Sequence, residues 1–129
     1  MTRIVVIGGG LGGLAAALFS ARHGHEVVLL ERDAGPPEGT ADDDFDQWDR
    51  PGVPQARQSH NFLGLSCAVL ATEAPDVVDA LLQRGAMRTD VSVAGRGADP
   101  DSGELSLLCR RLVFEAVVRR AVGLSLIHI

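Results

Sequence analysis

Residues Arg3–Asp33 read RIVVIGGGLGGLAAALFSARHGHEVVLLERD. Arg3-Ile-Val-Val-Ile7 is a short β-branched run closed by glycine, the pattern of a strand buried in a parallel sheet. Gly8–Gly13 forms a tight turn. Leu14–Arg22 then carries good helix formers, with Ala15, Ala16 and Ala17 between Leu14 and Leu18, and stops at Gly24. Glu26-Val-Val-Leu-Leu-Glu31 is a second buried strand. Strand, glycine turn, helix and strand within about 30 residues make the first half of a nucleotide-binding unit.

The turn carries Gly8-x-Gly10-x-x-Gly13 in the context that this pattern requires, after a strand and at the opening of a helix. Gly8 permits the sharp turn, Gly10 lets the backbone approach a pyrophosphate, and Gly13 lets the helix lie close to the strand. The N–H groups of Leu11, Gly12 and Gly13 and the helix dipole face the phosphates. Glu31 ends the second strand about 20 residues on, where an acidic side chain hydrogen-bonds a ribose diol. A 2′-phosphate would be repelled there, which disfavours NADP at this site. The residues alone leave NAD and FAD both open. The expected fold class is therefore α/β: a Rossmann-like βαβ start of an incomplete doubly wound sheet, with inserted helices and a β-hairpin.

One competing reading is a membrane helix over Ile4–Ala21, which is uncharged and mostly apolar. Gly9-x-x-x-Gly13 is a helix-dimer pattern in lipid. Five glycines crowd the first half of that stretch, however, and in a continuous helix they would cost about 4–5 kcal/mol relative to alanine. No stable membrane insertion is expected.

Outward from this unit, Asp33–Gly52 is rich in Pro, Gly and Asp and reads as an exposed connection. Its cluster Asp42-Asp43-Asp44-Phe45-Asp46 has Gln47 and Val53 where a calcium loop needs glycine and glutamate, so it reads as a solvated loop. From Ser59 a helix is expected through Phe62, Leu63, Val69 and Leu70 until Pro75. Asp76 then caps a shorter helix with Asp79 in its first turn and Gly85 at its end. Met87–Val93 alternates as a half-exposed strand, Ala94–Gly103 is a polar loop, and Glu104–Leu108 is the antiparallel return. Arg111–Ala121 closes as a helix with a Glu115–Arg119 pair on its outer side. The string Leu-Ser-Leu-Ile-His-Ile129 reads as translated sequencing adapter. Residues 1–122 are thus expected to form a partial dinucleotide-binding domain, and 123–129 a non-native tail.

The bulk properties narrow the function classes. Apolar residues make up 46% and charged residues 22% of the 129, an ordinary globular balance. A net charge of −5 with no basic stripe argues against nucleic acid. Cys67 and Cys109 form no CxxC pair, so neither a disulfide framework nor a zinc site is supported and a cytoplasmic location fits. His23 and His25 bracket Gly24 at a spacing that suits no helical metal pair, and no metal site is expected. His60 reads as a helix-start histidine, Cys67 as core, and Trp48 carries no assignment.

Arg3–Asp33 resembles the FAD-binding start of the class A flavoprotein monooxygenases, the para-hydroxybenzoate hydroxylase-like group. The Gly12-Gly13-Leu14-Ala15 continuation and the Glu31-Arg32 pair carry the resemblance. Arg50-Pro-Gly-Val-Pro-Gln55 followed by His60, and Cys109-Arg-Arg-Leu-Val-Phe-Glu115, extend it more loosely to about Ala121. The resemblance implies that Gly8, Gly10 and Gly13 cradle the FAD pyrophosphate and that Glu31 holds the adenosine ribose. It places Arg32 beside the adenine or ribose, Arg50 towards the flavin side, and Arg111 at the phosphates or ribityl chain. Beside these stand plainer readings: Arg32 and Arg50 as surface charges, and Arg111 as a helix-start residue paired with Glu115.

In that group NAD(P)H reduces the flavin, and oxygen supplies the hydroxyl group placed on a small organic substrate. The expected function is accordingly the FAD-binding part of such a monooxygenase. The catalytic residues are unknown, since the substrate domain is expected to be missing from this chain, and neither substrate nor oligomeric state is legible. No acid, base or nucleophile stands out, which fits chemistry carried by the cofactor. The chain by itself is expected to be inactive, with an uncovered sheet face. A related FAD dehydrogenase, reductase or halogenase, or a non-catalytic nucleotide-binding module, are the alternatives.

Overall fold

The structure, a computed structural model, describes residues 1–62, 64–90 and 105–124. Strand β1 (Arg3–Ile7), helix α1 (Leu11–Arg22) and strand β2 (Glu26–Leu30) form the expected unit, with β1 and β2 parallel in the register Arg3↔Glu26 to Ile7↔Leu30. Helix α1 starts at Leu11 rather than Leu14, and Gly13 lies in its first turn, where the backbone runs too close to Gly8 for a side chain. Leu14, Ala17 and Leu18 are fully buried against Val27 and Leu29. On the other sheet face Val5, Ile7 and Leu30 are exposed.

The second sheet is antiparallel in the order β3-β5-β4, from β3 (Ser59–Phe62), β4 (Met87–Asp90) and β5 (Leu105–Arg110). The β4–β5 pairing is the expected hairpin, and its connecting loop lies outside the described residues, as does the rest of the expected strand to Val93. Strand β3 corrects the helix expected from Ser59. His60 pairs with Cys109 and Phe62 with Leu107 across β5. Ser59 and Asn61 face out while His60 and Phe62 turn inward, so the local period is two, and sheet pairing overrides the apolar spacing further along. Helix α3 (Gly64–Glu73) begins only after this strand.

The segment Asp33–Gly52 is not simply a loop. Thr40 and Asp43 form a reciprocal capping box that starts helix α2 (Ala41–Gln47), with Thr40 N donating to Asp43 Oδ2 at 2.8 Å. Three aspartates in its first turn complement the helix dipole. Asp44, expected to be solvated, is fully buried and accepts from Arg84 at 2.6 Å and Arg120 at 2.6 Å. These contacts pin α2 to helices α4 (Pro75–Gln83) and α5 (Arg111–Leu124). Removing the cap should therefore be felt: Thr40→Ala is expected to cost about 1 kcal/mol in urea unfolding. A cost indistinguishable from zero would mean that the Asp44 ion pairs alone hold α2.

Helix α4 opens with Pro75 at its first position and Ala74 before it, so Asp76 lies inside the first turn rather than at the cap. There Asp76 forms a two-pronged pair with Arg22 of α1, at 2.7 Å on each arm. Asp79 lies one turn further in. Gly85 follows α4 with φ +89°. Helix α5 runs through Leu124, past the expected end, and residues 125–129 lie outside the described set. The expected outer-face pairing of Glu115 with Arg119 is corrected: Glu115 pairs with Arg50 and Arg111 instead. Glu115 is fully buried, and Arg119, nearly so, donates to the carbonyls of Asp33 and Ala34. The main core joins α1, both sheets, α3, α4 and α5, and a smaller cluster packs Trp48 and Ala56 on Leu112 and Ala116. Cys67 and Cys109 are free and buried, and burial pushes the Cys109 thiol up to about 11. Among the described residues no helix is long and apolar enough to cross a membrane.

Candidate functional site

The end of β1, the turn into α1 and the end of β2 meet at one point. Gly8 has φ +96°, which a residue with a side chain rarely adopts, and its N–H donates to Leu30 O at 2.8 Å. Gly10 precedes α1 in an extended conformation, and no side chain caps the helix. The first-turn N–H groups of Leu11, Gly12 and Gly13 therefore have no acceptor within the helix. A Cβ built on Gly10 meets nothing within 4 Å, so the loop's outer face is open to a close approach. A Cβ on Gly13 would overlap the Gly8 carbonyl oxygen. The closeness of helix and strand expected from the motif is thus realised at Gly13, while Gly10 faces free space.

A cleft of about 340 Å³ opens beside this loop, bounded by Gly8, Gly10, Glu31, Arg32, Arg50 and Val53. One oxygen of Glu31 accepts from the Gly9 N–H at 2.6 Å, and the other from the Asp33 N–H at 2.8 Å. Burial would raise the Glu31 carboxyl, but those two N–H groups and the Arg50 charge together hold it below its ordinary value. It therefore stays ionised at neutral pH. Oε2 is also approached by Arg50, whereas Oε1 keeps a further lone pair for a hydroxyl donor.

Arg50 is the hub of the site. Its side chain is 1% exposed. It lies 3.3 Å from Glu31, 3.3 Å from Asp33 and 3.2 Å from Glu115, and it donates to Gly9 O at 3.1 Å. The guanidinium also sits 5.2 Å above the Trp48 ring, whose Nε1 donates to Ala34 O at 2.9 Å. A solvated surface arginine is ruled out for this position. Arg111 ion-pairs with Glu115 at 2.9 Å, as the plainer reading held, and its Nη1 lies 3.4 Å from His60 Nε2. It does not border the cleft. Arg32 does, with a side chain 81% exposed and no closer partner than Asp33 at 3.4 Å.

The structure therefore brings together Gly8, Gly10, Glu31, Arg32 and Arg50, with Leu11, Gly12 and Gly13 in the adjoining helical turn. Arg111 stands one carboxylate away. Sequence reasoning missed Asp33, Trp48 and Glu115 as parts of this network. The signal available was the acidic pair Glu31 and Asp33 flanking Arg32, which calls for a counter-charge once the segment is buried. Among the described residues no group of histidines, cysteines or carboxylates could hold a metal.

Residues 3–105 match the family described as FAD dependent oxidoreductase (DAO). Among solved structures, the Diels-Alderase PyrE3 of the pyrroindomycin biosynthetic pathway has a similar fold, with a TM-score of 0.64 over 98% of this chain. The two are 15% identical, and this chain spans 24% of the length of that one.

Proposed function

The chain belongs to the FAD-dependent oxidoreductase family, and from that premise we propose that it is the FAD-binding part of a monooxygenase that hydroxylates a small organic substrate with NAD(P)H and oxygen. FAD as cofactor follows from the family. The observation that carries the site is the open face at Gly10 beside a helix turn whose N–H groups lack acceptors. Those N–H groups and the dipole of α1 would hold the pyrophosphate. Glu31 would take the adenosine ribose diol, and the exposed Arg32 would lie along the adenosine. Arg50 would act indirectly, by fixing Glu31 and the Gly9 carbonyl, and Arg111 would do so through Glu115. When bound, FAD supplies hydride acceptance and oxygen activation, and the chain contributes orientation and a fixed field. The monooxygenase subtype rests on the resemblance at Gly12-Gly13-Leu14-Ala15, Glu31-Arg32, Arg50–His60 and Cys109–Glu115.

The same fold occurs in a Diels-Alderase, so fold alone does not choose the reaction. The test uses the complete protein, purified and inspected for bound flavin. We expect flavin absorption that bleaches anaerobically with NAD(P)H and returns when oxygen alone is admitted. Return only with an artificial electron acceptor would turn the assignment to a dehydrogenase or reductase. Bound flavin that NAD(P)H never reduces would favour a non-redox role.

A further inference from the structure

The far end of α1 carries a second set of charges. Arg22, its last residue, donates to both Asp76 oxygens and to Glu73 O. Arg84, just past α4, donates to Asp44 at 2.6 Å and to Gly39 O at 3.1 Å. Arg120 of α5 donates to the two Asp44 oxygens at 3.0 and 2.6 Å and to Pro37 O at 2.9 Å. All three arginines border one cleft of about 440 Å³. At about 1.5 Å per residue, α1 holds this cleft roughly 18 Å from the glycine turn, so it is separate from the dinucleotide site.

The ion pairs explain how the helices are braced, but three cations meet only two carboxylates. Asp76 balances Arg22. Asp44 is fully buried and is the one carboxylate among the described residues that pairs with Arg84 or Arg120, so the wall keeps a positive charge in excess. The carbonyl ends of α1 and α4 offset part of that charge, which leaves direct donors as the means of holding a ligand. Such donors remain. The Nε–H groups of Arg22, Arg84 and Arg120 have no protein acceptor among the described residues. The three side chains are 27%, 27% and 32% exposed, so a solute reaches them. The rest of the cleft is apolar, formed by Val77 and Ala80 of α4 with Val117 of α5.

We propose that this cleft binds a small organic monocarboxylate with an apolar body, its carboxylate on Arg84 and Arg120 and its hydrocarbon part on Val77, Ala80 and Val117. A planar guanidinium suits a carboxylate, and one negative charge matches one excess cation. The volume is that of a small-molecule site. A phosphate dianion would bring a second charge with no partner and oxygens that face apolar side chains.

The experiment titrates the complete protein by calorimetry with octanoate, and with 1-octanol and inorganic phosphate as probes that lack the charge or the apolar body. Octanoate should bind at least about tenfold more tightly than either of the others. Arg84→Gln should weaken octanoate about tenfold, through the loss of a charge-assisted hydrogen bond. Ala80→Leu fills the apolar part of the cleft, leaves every ion pair in place, and should weaken octanoate at least as much. No octanoate binding, or binding matched by 1-octanol or by phosphate, would overturn the proposal. Octanoate affinity unchanged in either folded variant would do the same. Where Arg84→Gln does not fold, Ala80→Leu decides the matter, since it disturbs no ion pair.

Discussion

Gly13→Ala is expected to destabilise the protein by about 3 kcal/mol in urea unfolding and to remove measurable FAD binding. The added methyl group would overlap the Gly8 carbonyl oxygen. Both are backbone-anchored: one belongs to the first turn of α1, the other to a residue held at φ +96° by the strand-to-helix turn. Neither can swing aside as a flexible side chain would. Relief requires α1 to lift from β1, which opens the contacts of Leu14 and Leu18 with Val27 and Leu29. The same movement carries the N–H groups of Leu11 and Gly12 away from the loop, so stability and cofactor affinity should fall together. Gly12→Ala is the internal control. A Cβ there meets nothing within 4 Å, and alanine in a helix is favoured over glycine by about 0.5–1 kcal/mol. Gly12→Ala should therefore raise the urea midpoint where Gly13→Ala lowers it. If both variants shift stability in the same direction, the tight approach at Gly13 is not what the third glycine of the motif provides.

The contrast shows what a sequence can disclose. Residues Arg3–Asp33 were legible because their constraints are local: strand run, turn, helix and acidic strand end each carry their own signal, and all four agree. The β4–β5 hairpin and α5 were readable for the same reason. Ser59–Phe62 was not, because its strand state comes from pairing with Leu107–Arg110, nearly fifty residues away in sequence. The acidic run Asp42–Asp46 misled in a different way. Its composition is that of a solvated loop, and only Thr40 three residues before Asp43 hinted at the helix. That Asp44 would be buried depends on Arg84, just past the end of α4, and on Arg120 of α5. At the site, the glycines and Glu31 belong to a spaced motif and could be found. Arg50 was found only through a resemblance, and its real surroundings (Asp33, Glu115 and Trp48) come from three separate segments with no common spacing. Long-range charge pairing leaves almost no periodic trace.

That charge pairing gives the second large effect. Glu115 is fully buried and divides its two oxygens between Arg50 and Arg111. Glu115→Ala should cost about 3–5 kcal/mol, since it strands buried positive charge rather than merely deleting a contact. Arg50 would keep Glu31 and Asp33, but its Nε would lose its carboxylate, and Arg111 would keep only the weak approach to His60. The stranding argument has a sharper consequence than the single value. Replacing both partners, as Arg50→Met with Glu115→Leu, removes the two charges of this pair together, while Glu31, Asp33 and Arg111 each lose one partner, so the double variant should be less destabilised than the sum of the two single ones by about 2 kcal/mol. Apo stability and FAD affinity should then part company. The double variant regains part of the lost stability, but Glu31 keeps only the Asp33 and Gly9 N–H donors and has lost the Arg50 charge that helps them hold it below its ordinary pKa. Glu31 takes up protons at higher pH in that variant, so its contribution to stability and binding, present above the unfolded carboxylate value, disappears earlier as pH falls. Additive single-variant costs, with no recovery in the pair, would show that Arg50 and Glu115 are held by the surrounding packing rather than by each other.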